Sequence, residues 1–448
     1  MSTFSGINQA SRALGAAQRG MDVTGQNIAN ANTPGYSRQR VEQTAGVLNE
    51  TGSWARANVP GDGVQVTGIT RVADALATAT ARQDSATAAE QKAASQVWAG
   101  IETALADTGT SGLSKGLTDL SSAWNDLARA GEDGLAAARS LVVSRTEAVV
   151  STINGMDDQL QAQYTGLTGQ AQSVAADVNR AAESVAKLND AIRSTLAAGG
   201  SANELLDQRE QHLSVLADAT GARTVQRDGG VVDVYVGNAA LVSGDKATAL
   251  TIRVPDGASI GAELTVTVGG MAATPAAGTL KGLLDGANTT LVDQKEALDE
   301  FATAFATGVN TAVKTVTGNE DLLVTAGEGG AARNLSLADG AADFEDSTAD
   351  TVDRAAAKAA VNGLRDVTTA WRKEVTGIAT SAQSAENRAA LAEQVSLKSD
   401  AAREAVSGVN LDEEMTNLVA YQHAYSAAAR VLSVIDEALS TLINTVGR

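Results

Sequence analysis

Apolar residues recur at intervals of seven in three parts of this chain. The most regular row is C-terminal: Leu411, Leu418, Tyr425, Leu432, Leu439 and Val446, flanked first by Met415 and later by Tyr421, Ala428, Ile435 and Leu442. The flank drifts sideways, as 3.6 residues per turn against a seven-residue repeat requires. Gly408 breaks the preceding pattern, Asn410 is a helix cap, and Glu413 stands where a capping-box carboxylate reaches back, so a helix is predicted from about Leu411. A thinner row opens the chain, Phe4 followed by Ile7, Leu14, Met21 and Ile28, with small residues (Ser11, Ala17, Thr24, Gly25) between. It stops at Asn30-Ala31-Asn32-Thr33-Pro34-Gly35-Tyr36, because the residue before proline avoids the helical region and Pro-Gly fits the middle of a type II turn. Each end row is one apolar residue wide per two turns, too little for an isolated helix in water. Both ends are therefore expected to lie against other helices, in this chain or in neighbouring copies.

The third row, Ile153, Leu160, Leu167, Val174, Ala181 and Leu188, predicts a helix over about 134–198, with Gly166 and Gly169 as places where it kinks or splits. Before it, 36–71 reads as an irregular connector with a turn at Pro60-Gly61-Asp62-Gly63 and a short extended piece from Val64. A helix is expected at about 72–107, a loop at Gly109 to Gly116, and a short helix from Leu117 to near Gly131. After Gly199-Gly200, Ser201 is expected to cap a short helix through Leu216. Val225 to Val268 then alternates with period two (Val232-Val234-Val236, Leu264-Val266-Val268) between turn signals, which predicts an inserted antiparallel β unit of four to six strands. Helix resumes at about 279–317, a Gly- and Asp-rich loop fills Gly318 to Thr348, and an Ala-rich helix spans about 350–406. The fold class is mainly α: long coiled-coil-like helices from both chain ends plus a helical bundle, with a small inserted antiparallel β domain. The expected domains are nested: 1–70 with 407–448 as a terminal coiled-coil layer and connector, 71–222 with 277–406 as the bundle, and 223–276 as the β insert, outermost.

Composition fits slim helix packing: 44% of the 448 residues are hydrophobic, only 3% aromatic, and much of the apolar content is Ala, which favours helix and close backbone approach. A net charge of -19, from 34 Lys and Arg against 53 Asp and Glu, argues against nucleic acid or an anionic membrane surface as the main partner. The charge is unevenly placed. Residues 1–40 carry Arg12, Arg19, Arg38 and Arg40 against Asp22, whereas 408–448 carry Asp412, Glu413, Glu414, Asp436 and Glu437 against Arg430 and Arg448, a complementarity that favours pairing of the ends. No apolar run is long enough to span a bilayer, and the N-terminus lacks the apolar core of a cleaved secretory signal.

Candidate chemistry is sparse. The chain has no cysteine and two histidines, which removes disulfides, thiol nucleophiles and nearly all zinc sites. His212 and His423 stand alone on helices, and no HExxH is present. Gly109 to Lys115 has the wrong spacing for a phosphate loop. The Asp412-Glu413-Glu414 run is accounted for by the positive end of the helix dipole. No catalytic, cofactor-binding or metal residue is assigned.

The segments NIANANTPGYSRQ at 27–39 and SGVNLDEEMTNLVAYQHAYSAAARV at 407–431 resemble the two ends of the bacterial flagellar axial proteins, the rod, hook and hook-associated proteins. Tyr36-Ser37-Arg38-Gln39, Leu411-Asp412-Glu413-Glu414-Met415 and the mostly helical interior favour the hook-associated branch; a rod or hook protein is the alternative. An adhesin or enzyme carried on a flagellar scaffold is a third reading, with only the β insert to support it. The resemblance implies a non-enzymatic structural protein that self-assembles through its terminal helices, with the terminal layer lining the axial tube. It further implies contacts with hook protein and with the next hook-associated protein on the filament side, an export chaperone at the C-terminal helix, and unfolded export through the flagellar channel to an extracellular position. The assembly interface is expected at Phe4, Ile7, Leu14, Met21, Ile28, Leu411, Met415, Leu418, Tyr421, Tyr425, Leu432, Ile435, Leu439, Leu442 and Val446. Asn30, Asn32, Thr33, Pro34, Gly35 and Tyr36 form the helix-stop turn.

Overall fold

A computed structural model describes residues 3–45, 63–107, 112–255, 257–317, 321–339, 341, 344 and 354–446. Helix α1 (Thr3–Ala29) is followed by a hairpin of β1 (Gln39–Ala45) and β2 (Val64–Arg71), then by α2 (Ala75–Ala104), α3 (Leu113–Leu127), α4 (Leu135–Ala197) and α5 (Asn203–Thr220). Seven short strands come next: β3 (Arg223–Gln226), β4 (Val232–Val236), β5 (Ala239–Ser243), β6 (Lys246–Ala247), β7 (Leu250–Arg253), β8 (Thr265–Val268) and β9 (Met271–Ala273). Then follow α6 (Gly278–Asp285), α7 (Leu291–Thr317), β10 (Leu323–Val324), the single turn α8 (Ala331–Asn334), β11 (Ser336–Leu337), α9 (Arg354–Ser407) and α10 (Leu411–Val446).

The spine is α4, 63 residues without a break, or about 95 Å at 1.5 Å per residue. Gly166 and Gly169 do not split it. Both are exposed, and an added Cβ on either would meet open space, while the opposite face stays continuously buried from Val142 through Ile153, Leu160, Ala171 and Val185 to Ile192. Val174 and Leu188 are only half-buried, because a strict seven-residue row rotates off the buried face of a straight helix. Packed around the spine, α3, α7 and the first half of α9 enclose Trp124 against Phe344 and Phe301 against Trp371, at ring-centroid distances of 5.9 and 5.1 Å.

Several local expectations are corrected. Helix α3 starts at Leu113, inside the expected loop, because Asp107 from the preceding segment accepts the Ser114 amide at 2.8 Å and supplies the missing cap. Ser201 does not cap α5. Its hydroxyl donates to the Ile69 carbonyl at 3.3 Å, and the N-cap position falls on Ala202. The helix expected over 279–317 carries a π turn at Gly286–Thr290 between α6 and α7. The Gly318 to Thr348 stretch contains β10, α8 and β11, with residues 318–320, 340, 342–343 and 345–348 outside those described. Of the turn expected at Pro60 to Gly63, only Gly63 is among the described residues.

The β insert has seven strands, in a four-stranded sheet ordered β3-β4-β5-β6 and a three-stranded sheet ordered β7-β8-β9, all antiparallel. Its two junctions touch: a Cβ on Gly221 would lie 2.5 Å from the Ala277 nitrogen and one on Gly278 2.7 Å from the Thr220 nitrogen. The strands are not an outermost appendage. Val234, Val242, Leu250 and Val266 share one continuous core with Val178 and Val185 of α4.

Five asparagines on helices attach strands and extended segments by the same device, each side-chain amide bonding both the N–H and the C=O of one residue. Asn179 holds Leu250 (2.7 and 2.8 Å), Asn189 holds Val232 (3.2 and 2.8 Å), and Asn288, in the π turn, holds Leu264 (2.8 and 2.9 Å). Asn310 holds Leu323 (2.8 and 2.8 Å) and Asn27 holds Gln39 (3.0 and 2.9 Å). A carboxamide presents donor and acceptor much as a peptide does, so it can satisfy a buried extended residue on the side where no strand pairs with it.

Candidate assembly interface at the paired chain ends

Helices α1 and α10 pack against each other antiparallel. A Cβ on Gly6 would lie 3.1 Å from Ile435, one on Gly20 would lie 2.5 Å from the Tyr421 ring, and Asn27 bonds Glu414 at 3.0 Å. The pairing therefore runs from Gly6 with Ile435 to Asn27 with Glu414. Its contact line differs from the rows the sequence emphasises. On α1 the buried residues are Asn27 and the small ones, Ala10, Ala16, Ala17, Gly20, Val23 and Thr24, while Ile7, Leu14, Met21 and Ile28 are half-buried. On α10 the flank row faces α1: Glu414 and Ala428 are buried, Tyr421 and Ile435 half-buried. In the main row Leu418, Leu432 and Leu439 are half-buried, whereas Leu411, Tyr425 and the neighbouring Met415 are exposed. The side chains of Phe4, Leu442 and Val446 lie outside those described. Small residues line the contact because close helix approach leaves no room for large ones; Gly20 is the seat of Tyr421.

The joint between this pair and the body is polar and built from residues far apart in sequence. Pro34-Gly35 forms the expected turn, with Gly35 at φ 77 and the Tyr36 amide donating to the Thr33 carbonyl at 3.1 Å. Asn30 closes the helix, its side chain donating to the Gln26 carbonyl at 3.0 Å and accepting from the Thr33 hydroxyl at 3.2 Å. Asn32 is exposed. Gln211 of α5 donates to the Pro34 carbonyl at 2.8 Å and occupies the space where a Cβ on Gly35 would stand. Beyond the turn, the Tyr36 to Gln39 segment is held from three sides. Asn27 of α1 grips Gln39 and accepts from the Tyr36 hydroxyl at 2.8 Å. From α5, Asp207 takes the Ser37 amide at 3.0 Å and the Arg71 guanidinium at 2.9 Å, and Asn203 donates to the Gln39 side chain at 3.1 Å. From α10, Glu413 and Glu414 each bind Arg38 at 2.8 Å, and the Arg38 amide donates to the Ser407 carbonyl at 2.8 Å where α9 ends.

Glu413 thus does not close a capping box. Asn410 caps α10 alone, accepting the Asp412 and Glu413 amides at 3.0 and 3.4 Å. Nor does the helix dipole account for the whole acidic run, since Glu414 is 2% exposed and bonded to both Arg38 and Asn27. The charge complementarity of the two ends is realised at Arg38 with Glu413 and Glu414. Burial, reinforced by Asp207, Glu204 and Glu414, pushes the Tyr36 hydroxyl up to about 12. Sequence reading missed Asn27, Gln39, Asn203 and Asp207. The one available signal was a poor helix former, Asn27, inside the last turns of α1.

Among the described residues no group of His, Asp or Glu is arranged to hold a metal ion, and no helix is long and apolar enough to cross a membrane. His212 is half-buried on α5 and His423 exposed on α10.

The two chain ends thus return to form one antiparallel helix pair, clamped to a helical body and still exposing apolar side chains. The flagella basal body rod protein family model matches residues 7–36, and the model of the flagellar basal body rod FlgEFG protein C-terminal region matches 404–445. Between them, the flagellar hook-associated protein FlgK helical domain matches 98–321, half of the chain. The chain belongs to the FlgK family of flagellar hook-associated proteins. It is 28% identical over 510 residues to flagellar hook-associated protein 1 of Bacillus subtilis, covering 100% of this chain and 99% of that one. Against flagellar hook-associated protein 1 of Escherichia coli it is 28% identical over 316 residues, with 68% of this chain and 56% of the relative covered, so that match spans about half of the relative's length. The solved flagellar hook junction protein FlgK from Burkholderia pseudomallei aligns with a TM-score of 0.46 at 23% identity, over 56% of this chain and 46% of that one.

Proposed function

We propose that this chain is the hook-associated junction component of a bacterial flagellum, a non-enzymatic subunit that assembles with its own copies through α1 and α10 and connects hook to filament. The observation that carries the reading is α10 itself. One side is paired with α1, yet Leu411, Met415, Val419, Val431, Val434 and Ile443 remain exposed on the others, and rows of this kind are ordinarily covered by further helices. The partners that follow are hook protein, the next hook-associated protein on the filament side and an export chaperone at the C-terminal helix. The location is extracellular, reached by the flagellar type III pathway. The division into a terminal layer (1–70 with 407–448), a bundle (71–222 with 277–406) and a β insert (223–276) belongs to the same proposal, the joint at Asn27, Arg38 and Glu414 being the boundary between layer and bundle.

Deleting the gene in its own organism and imaging the cells tests this. Hooks without filaments, with flagellin shed into the medium, are expected. Missing hooks would point to a rod or hook role, and normal filaments would overturn the assignment altogether.

A further inference from the structure

The two sequence rows that do not form the α1–α10 contact lie together on one flank of the pair. Residues advance about 100° around a helix, so positions on α1 can be ordered around its axis. Gly6 and Gly20 face α10. Gln9, against Gly63, and Asn27, against Gln39, face the β1–β2 hairpin, with Ala16 and Val23 buried on that side. Ile7, Leu14, Met21 and Ile28 come round on the other flank. Because α10 runs antiparallel, Leu418, Tyr425, Leu432 and Leu439 fall on that same flank, whereas Val431 and Val434 fall on the opposite one. Beside its two rows the bulky flank carries Ser11, Gln18, Gly25 and Gln422 and a single charge, Asp436, near the C-terminal end of the α10 row. The opposite flank of α10 is also apolar but shallower: Ala420, Ala424, Ala427, Val431, Val434 and Ala438, all exposed.

Resting on the assembly reading above, we infer that the bulky flank of one copy docks on the shallow flank of α10 in a second copy of this chain. Three observations select that occupant. A surface whose one charge is Asp436 offers little to a partner that approaches through charged side chains. Its seven-residue spacing continues the spacing of the contact already made between α1 and α10, so a third helix of the same repeat can interdigitate with both. The surface of matching spacing and complementary depth, large side chains against Ala and Val, is on the far side of the same helix pair. A contact between two different faces of identical chains propagates in one direction and closes into a ring or continues as a tube.

The chain has no cysteine, which makes thiol cross-linking a direct test. Tyr425→Cys marks the bulky flank. Ala420→Cys, Ala427→Cys and Val434→Cys mark the shallow flank at seven-residue steps, about 10 Å apart along the helix, so a cross-linker of similar reach finds a partner at any axial offset. Flagella isolated from a deletion strain expressing Tyr425→Cys together with each shallow-flank variant should yield a covalent dimer for at least one combination, and no variant alone should yield any. Dimers of Tyr425→Cys alone would mean that the bulky flank meets itself, which overturns the inference. Assembled flagella with no mixed dimer would also overturn it, leaving terminal-helix assembly standing. That broader reading is checked separately with Leu432→Asp in the same strain, expected to abolish swimming. If Leu432→Asp restores swimming, assembly through α10 itself is wrong.

Discussion

The Nδ2 of Asn27 donates to a carboxylate oxygen of Glu414 at 3.0 Å, joining residues 387 apart in the chain. Asn27 spends its remaining capacity on Gln39 and Tyr36, and Glu414 spends its other oxygen on Arg38. One buried contact therefore fixes the axial register of α1 against α10 and fastens both to the strand that leads into the body. A slip of one helical turn would break it.

Glu414→Ala is expected to loosen the ends without unfolding the bundle. It leaves one N–H of the buried Asn27 and the Arg38 Nε–H without their acceptor, Glu413 still holding the other side of the guanidinium, at a cost of about 1–3 kcal/mol. Amide hydrogen exchange should speed up over α1 and α10 while α4 stays protected. Unchanged exchange in both end helices would show that the joint does not hold them.

Gly20→Ala sets two effects against each other. Replacing glycine in a helix gains about 1 kcal/mol, but the new methyl carbon would stand 2.5 Å from the Tyr421 ring. The collision is expected to win, because the ring lies between two helices and cannot withdraw without separating them. Weaker protection of α10 in Gly20→Ala, restored when Tyr421→Ala is added, is the expected pattern. Failure of the second change to restore protection would place the damage elsewhere.

Tyr36 predicts a pH dependence confined to strong base. Its hydroxyl is raised from 10.0 to about 12, first by burial and then by Asp207, Glu204 and Glu414. The folded chain therefore keeps this proton where the unfolded chain has lost it. The contribution is fully present below pH 10 and is lost as pH rises towards 12, since stability falls where the unfolded state binds fewer protons. Subtracting the stability profile of Tyr36→Phe from that of the parent isolates the slope. A flat difference between pH 9 and 12 would contradict the assignment.

The β insert is expected to be indispensable to the body. Replacing residues 224–276 by a short Gly-Ser linker joins two touching points, so the chain can close, but it uncovers Val178 and Val185 on α4. A milder probe is Asn189→Leu, which removes the grip on Val232 and takes an acceptor from the buried Arg209, at a cost of about 3 kcal/mol. Both should lower the melting temperature, the deletion also binding a hydrophobic dye. A deletion chain that melts as cooperatively and as high as the parent would make the insert an appendage after all.

What the sequence determines by itself is the set of elements governed by local periodicity and backbone chemistry. The row from Ile153 carries α4, the row from Leu411 with Asn410 before it carries α10, and Thr33-Pro34-Gly35-Tyr36 makes its turn because proline and glycine restrict the backbone wherever they occur. Alternation between Val232 and Val268 marks strands for the same reason. The family resemblance also resided in short stretches at the two ends. Tertiary structure alone decided which face of each helix is buried. A seven-residue row specifies a stripe but not its partner, so Ile7 to Ile28 and Leu411 to Leu439 look like the contact between the ends although Ala10, Ala17 and Gly20 make it. It also decided the polar joint. Asn27, Asp207 and Glu414 resemble ordinary surface residues in sequence; their roles arise because folding removes water from them together, and a buried amide or carboxylate must then find its partners within the protein.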